Sequence, residues 1–490
     1  MLSLRIRLED LKSANWRWST DQWTNGASWI KPVASSVLTR TLVNNHGHRC
    51  TVTVEERKAG ERDFTTVAME QGRVRLSAGV FGTAPLYLMA VGDELHGAWD
   101  LAQLRPYLRT GRVVPRTVAR ILTRQHRYTT DTLFEGVYRL TERATAVFTA
   151  SGLTVRYPEP AEHVLEPRTL RLGVDPVDVF SSLLSEAVRE TPTATECVGI
   201  ELSGGADSGN VALSVRAARC NRVYSFGLVM SGSMGAQQRE RRRRFVDHCG
   251  FRDTAIPAMQ HPPFVPGGVR ALGKPHDPAG AFYQEAFDVL RAQAAARGCD
   301  VIFTGNGGDE INAHHSRTSA ELPMTEPVPW LGSKAKQALA DVDEQLAPIP
   351  VLPIPALMAF GLHNPGFLRV GVWPVSPLVH PRIVRFMEQL PHEHKRGKAM
   401  FRERLRRAGL PESVASPAEP ENFLEVMETG LRTFGLPTLD SMLRESLLGD
   451  LGYVDPKALA QAREDAERTP VVPDLLCDVL ALEVGLRALT

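Results

Sequence analysis

The sequence of 490 residues predicts a mixed α/β chain. It has a β-rich first domain over residues 1–155, a linker over 156–174 and a parallel-sheet domain over 175–490 that ends in a helical extension. Three observations predict it. Residues 1–155 are rich in Thr, Val and Arg in short alternating segments, such as Arg73-Val74-Arg75-Leu76 and Thr145-Ala146-Val147-Phe148, the period-two pattern of half-buried strands. From residue 175 strands and helices alternate, which implies a parallel sheet with helices on both faces. Two of those strands run directly into glycine loops.

Taken in order, Met1-Leu2-Ser3-Leu4-Arg5 reads as a strand, and Tyr157-Pro158-Glu159-Pro160 through Pro167 as a proline-containing linker. Asp175-Pro176 opens a helix: Asp caps, proline suits the first helical position, and Val177, Phe180, Leu183, Leu184, Ala187 and Val188 form one apolar face. The pattern continues with a strand over 198–202, a helix over 208–218, a strand over 223–229 and a helix around 236–249. A proline-broken segment over 256–278, a helix over 280–297 and a strand over 301–304 follow. Beyond residue 330 the pattern is mainly helical, with a loop from Pro348 to Pro355.

The junction at 198–208 carries the most chemistry. Val198-Gly199-Ile200-Glu201-Leu202 breaks into Ser203-Gly204-Gly205-Ala206-Asp207-Ser208, and a helical stretch follows. Such a loop holds phosphate, because glycines let the backbone approach an anion, serine hydroxyls add donors, and a helix N-terminus favours negative charge. Asp207 makes sense among phosphates if a cation lies between them, and Mg²⁺ bridges carboxylates with phosphate oxygens. By itself the loop reads more readily as an ordinary strand-to-helix turn with a glycine-rich start. A second junction changes this: Val301-Ile302-Phe303-Thr304 runs into Gly305-Asn306-Gly307-Gly308-Asp309-Glu310. Two parallel strands ending in such loops can aim both Asp207 and Asp309 at one metal at the carboxyl edge of the sheet, where open α/β folds bind ligands.

Composition excludes several function classes. A hydrophobic share of 43% with 23% charged residues is ordinary for a soluble globular enzyme, and a net charge of +1 offers no global attraction to nucleic acid or membrane. The one basic run, Arg239 with Arg241 to Arg244, reads as a solvated helix face or as a docking patch for a peptide. Six scattered cysteines without CxxC spacing give neither a zinc site nor a disulfide framework. No apolar run approaches the roughly 20 residues that span a bilayer, and no signal peptide is evident, so a cytoplasmic location is expected.

The two loops, in this order and spacing, resemble the asparagine synthetase family of ATP pyrophosphatases, with its SGG-x-DS loop and later G-x-G-x-D-E loop. Phe81-Gly82-Thr83-Ala84-Pro85-Leu86-Tyr87 is similar to a segment preceding a strand pair in that family's N-terminal domain. Ser376 to Val384 and Leu410-Pro411-Glu412-Ser413-Val414 resemble its helical C-terminal landmarks, so the likeness covers most of residues 70–425. It implies a glutaminase-like (Ntn-type) first domain and an ATP-pyrophosphatase second domain. ATP would be bound by Leu202, Ser203, Gly204, Gly205, Asp207, Ser208, Phe226, Gly305, Gly307 and Gly308, Mg²⁺ by Asp207 and Asp309, and substrate by Asn306 and Glu310.

Departures from the family pattern refine the expectation. Glutamine-dependent members begin with a nucleophilic cysteine. Here position 2 is Leu2 and Cys50 lies far along the chain, so glutamine hydrolysis is not expected and the nucleophile is an amine of the substrate. In that respect the chain resembles β-lactam synthetases and lasso-peptide cyclases. Asparagine synthetases carry a glutamate, and β-lactam synthetases a tyrosine, three residues before the second aspartate. Asn306 stands there, and an amide does not take up a proton at neutral pH. The loop Thr304 to Glu310 is closest to the TG-x-GGD form associated with lasso cyclases. His314 or His315 could serve as base, or simply begin a polar helix. After Leu410-Pro411 relatives place an Arg and a Lys for pyrophosphate, whereas this chain reads Ala415-Ser416-Pro417-Ala418-Glu419-Pro420-Glu421-Asn422-Phe423. Lys395 and Lys398 are the nearest substitutes, and both read equally as surface lysines; Lys398 is taken as the catalytic candidate.

The expected reaction is adenylation of a carboxylate with release of pyrophosphate, followed by displacement of AMP by an amine, most closely a lasso-type macrolactam closure. Proximity within one molecule would supply much of the second step. The partners this implies are a peptide or small-molecule substrate, with a leader-binding protein and a protease in the same pathway. A β-lactam synthetase-like or other intermolecular amide synthetase is one alternative. A non-catalytic nucleotide- or peptide-binding partner, resting on Asn306 and the missing Arg/Lys pair, is an alternative of another class.

Overall fold

Leu2, Leu4 and Ile6 alternate with Ser3, Arg5 and Arg7, and the strand Leu2–Arg7 buries the first set while the second keeps contact with solvent. It pairs antiparallel with Glu94–Ala98 and Ser28–Pro32 in a seven-stranded sheet. A six-stranded sheet, centred on Arg49–Lys58, Glu61–Glu70 and Arg73–Ser77, presents Val52, Val54, Val67, Met69, Val74 and Leu76 to the same core. The computed structural model describes residues 1–12, 15–33, 38–46, 49–58, 61–80, 82–164, 166–219, 222–280, 282–312, 327–340, 346–419 and 421–490.

The outer face of the seven-stranded sheet is covered from two places in the sequence. Tyr87, Met89 and Val137 join a core with the helix Pro115–Leu122 and with Leu436–Arg444, Pro456–Arg468 and Leu476–Leu489 from the far end of the chain. Arg124 clamps this union by pairing with Asp474 and Asp478 at 2.8 and 2.7 Å.

The second sheet system is five-stranded and wholly parallel. Its order is Arg252–Pro257, Arg222–Val229, Cys197–Glu201, Val301–Phe303 and Trp373–Val375. The two edge strands depart from the sequence expectation. Arg252–Pro257 is mostly exposed and lacks an apolar signature, and Trp373–Val375 is too short to show a period and contains Pro374, which an edge position tolerates. Helices also begin earlier than the pattern suggests, at Ala206 and Gly232, because polar first turns carry no apolar repeat. Pro176–Glu190, Ala206–Ala218 and Ala399–Arg407 share a core on one face of the sheet, and Gln284–Ala296 and Ile354–Arg369 cover the other. Among the described residues no helix is long and apolar enough to cross a membrane.

Candidate active site

The first glycine loop leaves the central strand at Leu202, whose N–H donates to the Phe226 carbonyl at 2.8 Å and so extends the parallel pairing by one residue. Gly204 then turns at φ +95°, a region closed to most side chains. Ser208 Oγ accepts from Ser203 N–H at 3.2 Å and lies 3.2 Å from Ser203 Oγ, tying the strand end to the first turn of the helix Ala206–Ala218. The second loop repeats the design one strand over. Thr304 N–H donates to the Val375 carbonyl at 2.8 Å, Gly307 turns at φ +93°, and the short helix Gly308–Asn312 starts.

The loops interlock. A Cβ on Gly305 would lie 2.9 Å from Ser208 N, and one on Gly308 would overlap Asp207 Cγ. Glycine at both positions is what lets the two helix starts meet.

Lys398 closes the site. Its Nζ stands 2.7 Å from Asp207 Oδ2 and 2.6 Å from Asp309 Oδ1. Gly397 and Lys398 turn through left-handed conformations, φ 58° and 59°, immediately before the helix Ala399–Arg407, and this corner brings the ammonium back to the sheet edge. A left-handed conformation at a lysine is strained by about 1 kcal/mol, and the two ion pairs offset it. Burial works against the Lys398 ammonium, but the two carboxylates win and hold it above its ordinary value. Burial pushes the Asp207 carboxyl up to about 6, with Lys398 pulling the other way. Burial likewise raises Glu310.

Between the loops lies a cavity of about 320 Å³, at the lower end of small-molecule pockets. Of the residues expected from the sequence, Leu202, Ser203, Asp207, Ser208, Phe226, Gly305, Asn306, Gly307, Gly308, Asp309 and Glu310 line it, whereas Gly204 and Gly205 build the loop without lining it. Phe226 is fully buried, so its ring forms wall and core together. His314, like His315 and Phe81, lies outside the described residues. Lys395 is buried beside Glu388 rather than paired with the aspartates.

A cation between Asp207 and Asp309 fits these residues. Both carboxylates already converge on one positive charge, and Asp207 Oδ1 is buried without a hydrogen-bond partner. No group of three or more His, Cys, Asp or Glu side chains among the described residues could hold a metal. Two carboxylates completed by phosphate oxygens is the arrangement Mg²⁺ commonly adopts.

The basic run reads differently in three dimensions. Arg243 and Arg244 are exposed and pair with Glu240, but Arg241 and Arg242 are 3% and 1% exposed. Arg241 donates to the Gly204 carbonyl at 3.3 Å and to Glu421 at 2.7 Å, and Arg242 pairs with Asp253. Two of the five arginines of the expected solvated face therefore back the first glycine loop. Glu421, Phe423, Phe287, Leu290, Ala359 and His363 also line the cavity and carried no local motif in the sequence.

An interlocked pair of glycine loops at the carboxyl edge of a parallel sheet, with facing aspartates, is an α/β arrangement suited to a phosphate-bearing ligand. The family model of asparagine synthase matches residues 180–353, which contain both loops. This stretch is similar to asparagine synthase, and the match supports, at a coarse level, an ATP-using, amide-forming ligase. A comparison with curated proteins finds no match. Among solved structures, the chain is similar to a glutamine-dependent NAD⁺ synthetase from Acinetobacter baumannii in complex with ADP. The identity is 13%, over 89% of this chain and 80% of that one. With a TM-score of 0.26, this likeness carries no argument about fold or chemistry.

Proposed function

We propose that this protein is an ATP- and Mg²⁺-dependent amide ligase that adenylates a substrate carboxylate, releasing pyrophosphate, and joins it to a substrate amine, releasing AMP. The observation that carries the reading is the convergence of Asp207 and Asp309, from two separate strand ends, on the single charge of Lys398. Bound between those carboxylates, Mg²⁺ would neutralise phosphate charge. Ser203 and Ser208 supply hydroxyl donors and the start of the Ala206–Ala218 helix supplies N–H groups to phosphate oxygens. Lys398 supplies the positive charge for pyrophosphate that the segment after Leu410-Pro411 lacks.

Glutamine is not the nitrogen source in this reading. The only cysteine within residues 1–155 is Cys50, which is buried in the core between the two antiparallel sheets, and burial pushes its thiol up to about 11. Such a thiol is inert at neutral pH. A tethered amine follows, and with Asn306 at the second loop the particular reaction proposed is a lasso-type macrolactam closure. The substrate is then a linear peptide, with a leader-binding protein and a protease as partners.

The test is incubation with ATP, Mg²⁺ and linear candidate peptides. The expected products are AMP, pyrophosphate and a peptide lighter by one water, with no glutamate released from glutamine. ADP and phosphate as the only nucleotide products would sink the reading.

A further inference from the structure

Two helices meet at the site in register. The helix Ala206–Ala218 starts at the first glycine loop, and the helix Ala399–Arg407 starts directly after Lys398. Lys398 stands 191 residues from Asp207, and the same offset of 191 recurs one turn further on, where Asn210 Nδ2 donates to the Phe401 carbonyl at 3.2 Å. A turn beyond that, Arg404 Nη1 donates to the Asn210 carbonyl at 2.7 Å and to Asn210 Oδ1 at 3.2 Å, and Arg404 Nη2 donates to Ser214 Oγ at 2.7 Å. The pair Lys398–Asp207 is thus the first of three successive levels that lace the helices together.

Arg404 differs from the arginines that follow it. Arg406 and Arg407 are exposed and pair with Glu412 and Asp175 at 2.7 and 2.6 Å. Arg404 is buried, and among the described residues no carboxylate pairs with it. Its guanidinium lies over the Phe180 ring at 5.8 Å, and burial holds it down to about 10, still charged at neutral pH. A buried charge facing only neutral acceptors costs stability, and an apolar side chain would serve the core better.

The apolar contacts between the helices do not fix their register. Met400, Phe401 and Leu405 share a core with Phe180, Val211 and Val215, and Phe401 stacks on Phe180 at 4.8 Å between ring centroids. Apolar surfaces repack with little loss, whereas a hydrogen bond between two given atoms fails when either moves away. A slip of one residue shifts a helix by about 1.5 Å along its axis and turns it by about 100°. That is enough to take Lys398 off both aspartates.

We propose that Arg404, acting with Asn210, is the positioning residue for Lys398: this buried clip sets the register of the lysine-bearing helix on the glycine-loop helix and so aims the ammonium between Asp207 and Asp309. The placement of Lys398 is independent of the reaction catalysed. Its effect on pyrophosphate release rests on the ligase reading above.

Nuclear magnetic resonance of isotope-labelled lysine side chains tests the placement directly. The Lys398 resonance is identified by its loss in Lys398→Arg and followed with pH. In the wild type it is expected to titrate above the ordinary lysine range, because Asp207 and Asp309 hold its proton. In Arg404→Met, which keeps the side-chain length without charge or donors, the titration should fall back to the ordinary range. Arg404→Lys, which keeps the charge and a donor, should restore most of the difference. Asn210→Ala removes the level between and should shift the titration the same way, which decides the matter if Arg404→Met does not fold. In pyrophosphate release, Arg404→Met should lower kcat by about 10²-fold with KM for ATP nearly unchanged, and should add nothing in a Lys398→Met background. An unshifted Lys398 titration in every variant that folds, or kinetic losses that add to those of Lys398→Met, would overturn the positioning role. If the wild type releases no pyrophosphate, the ligase reading has failed, and the titration still decides what Arg404 does.

Discussion

Lys398 Nζ lies 2.7 Å from Asp207 Oδ2, a contact made across 191 residues of chain. The same ammonium reaches Asp309, so one cationic side chain spans the two glycine loops. The site thus holds its two carboxylates together before any nucleotide arrives.

Lys398→Met removes that charge while keeping most of the side-chain volume. Pyrophosphate release should fall by about 10²–10³, the usual consequence of losing one preorganised charge-stabilising group. Stability should change by only about 1 kcal/mol, since the Asp309 partner is largely exposed and the pair is screened. Single-turnover kinetics and a thermal melt measure the two effects separately.

Gly308→Ala places a methyl group where Asp207 Cγ stands. The loops must separate, at about 1–3 kcal/mol, and affinity for an ATP analogue should drop at least tenfold. Gly72→Ala is the control for glycine loss alone, since nothing lies within 4 Å of its added Cβ. It should leave nucleotide affinity unchanged.

The Asp207 carboxyl sits at about 6 against an ordinary 3.8. The folded chain therefore holds this proton more tightly than the unfolded one. Its contribution to stability falls as pH rises from about 4 to about 6 and is level above that, a loss on the order of 3 kcal/mol at most. Asp207→Asn, which cannot ionise, should raise the melting temperature at pH 7.5 but not at pH 4. In the wild type, affinity for the Mg²⁺-bound nucleotide analogue should weaken about tenfold per pH unit below 6. A flat profile from pH 5 to 8 would contradict the shift.

Arg241 and Arg243 separate the two halves of the basic run. Arg241→Leu leaves Glu421 and the Gly204 carbonyl without their donor and should cost about 3–5 kcal/mol. Arg243→Leu, at an exposed helix position, should stay within about 0.5 kcal/mol. Urea unfolding of the pair decides it.

Both glycine loops were legible in the sequence because a strand running into a phosphate-type turn is a local event, written in fewer than a dozen residues. The edge strands were not: Arg252–Pro257 buries little and Trp373–Val375 has three residues, so neither leaves a periodic trace. Arg404 carried no signal either, being one arginine among several in Ala399–Arg407. Its role depends on Asn210 and Ser214, which lie 194 and 190 residues earlier in the chain.

The sequence by itself determined the strand–loop–helix junctions and the two aspartates that follow them, since propensity, glycine geometry and helix starts act within a few residues. Only the tertiary structure decided which cation stands between those aspartates, which arginines are buried behind the loop, and which buried arginine holds that cation's helix in register. Those are properties of charges brought together across the parallel sheet. Burial and distance govern them, and neither is encoded by spacing along the chain.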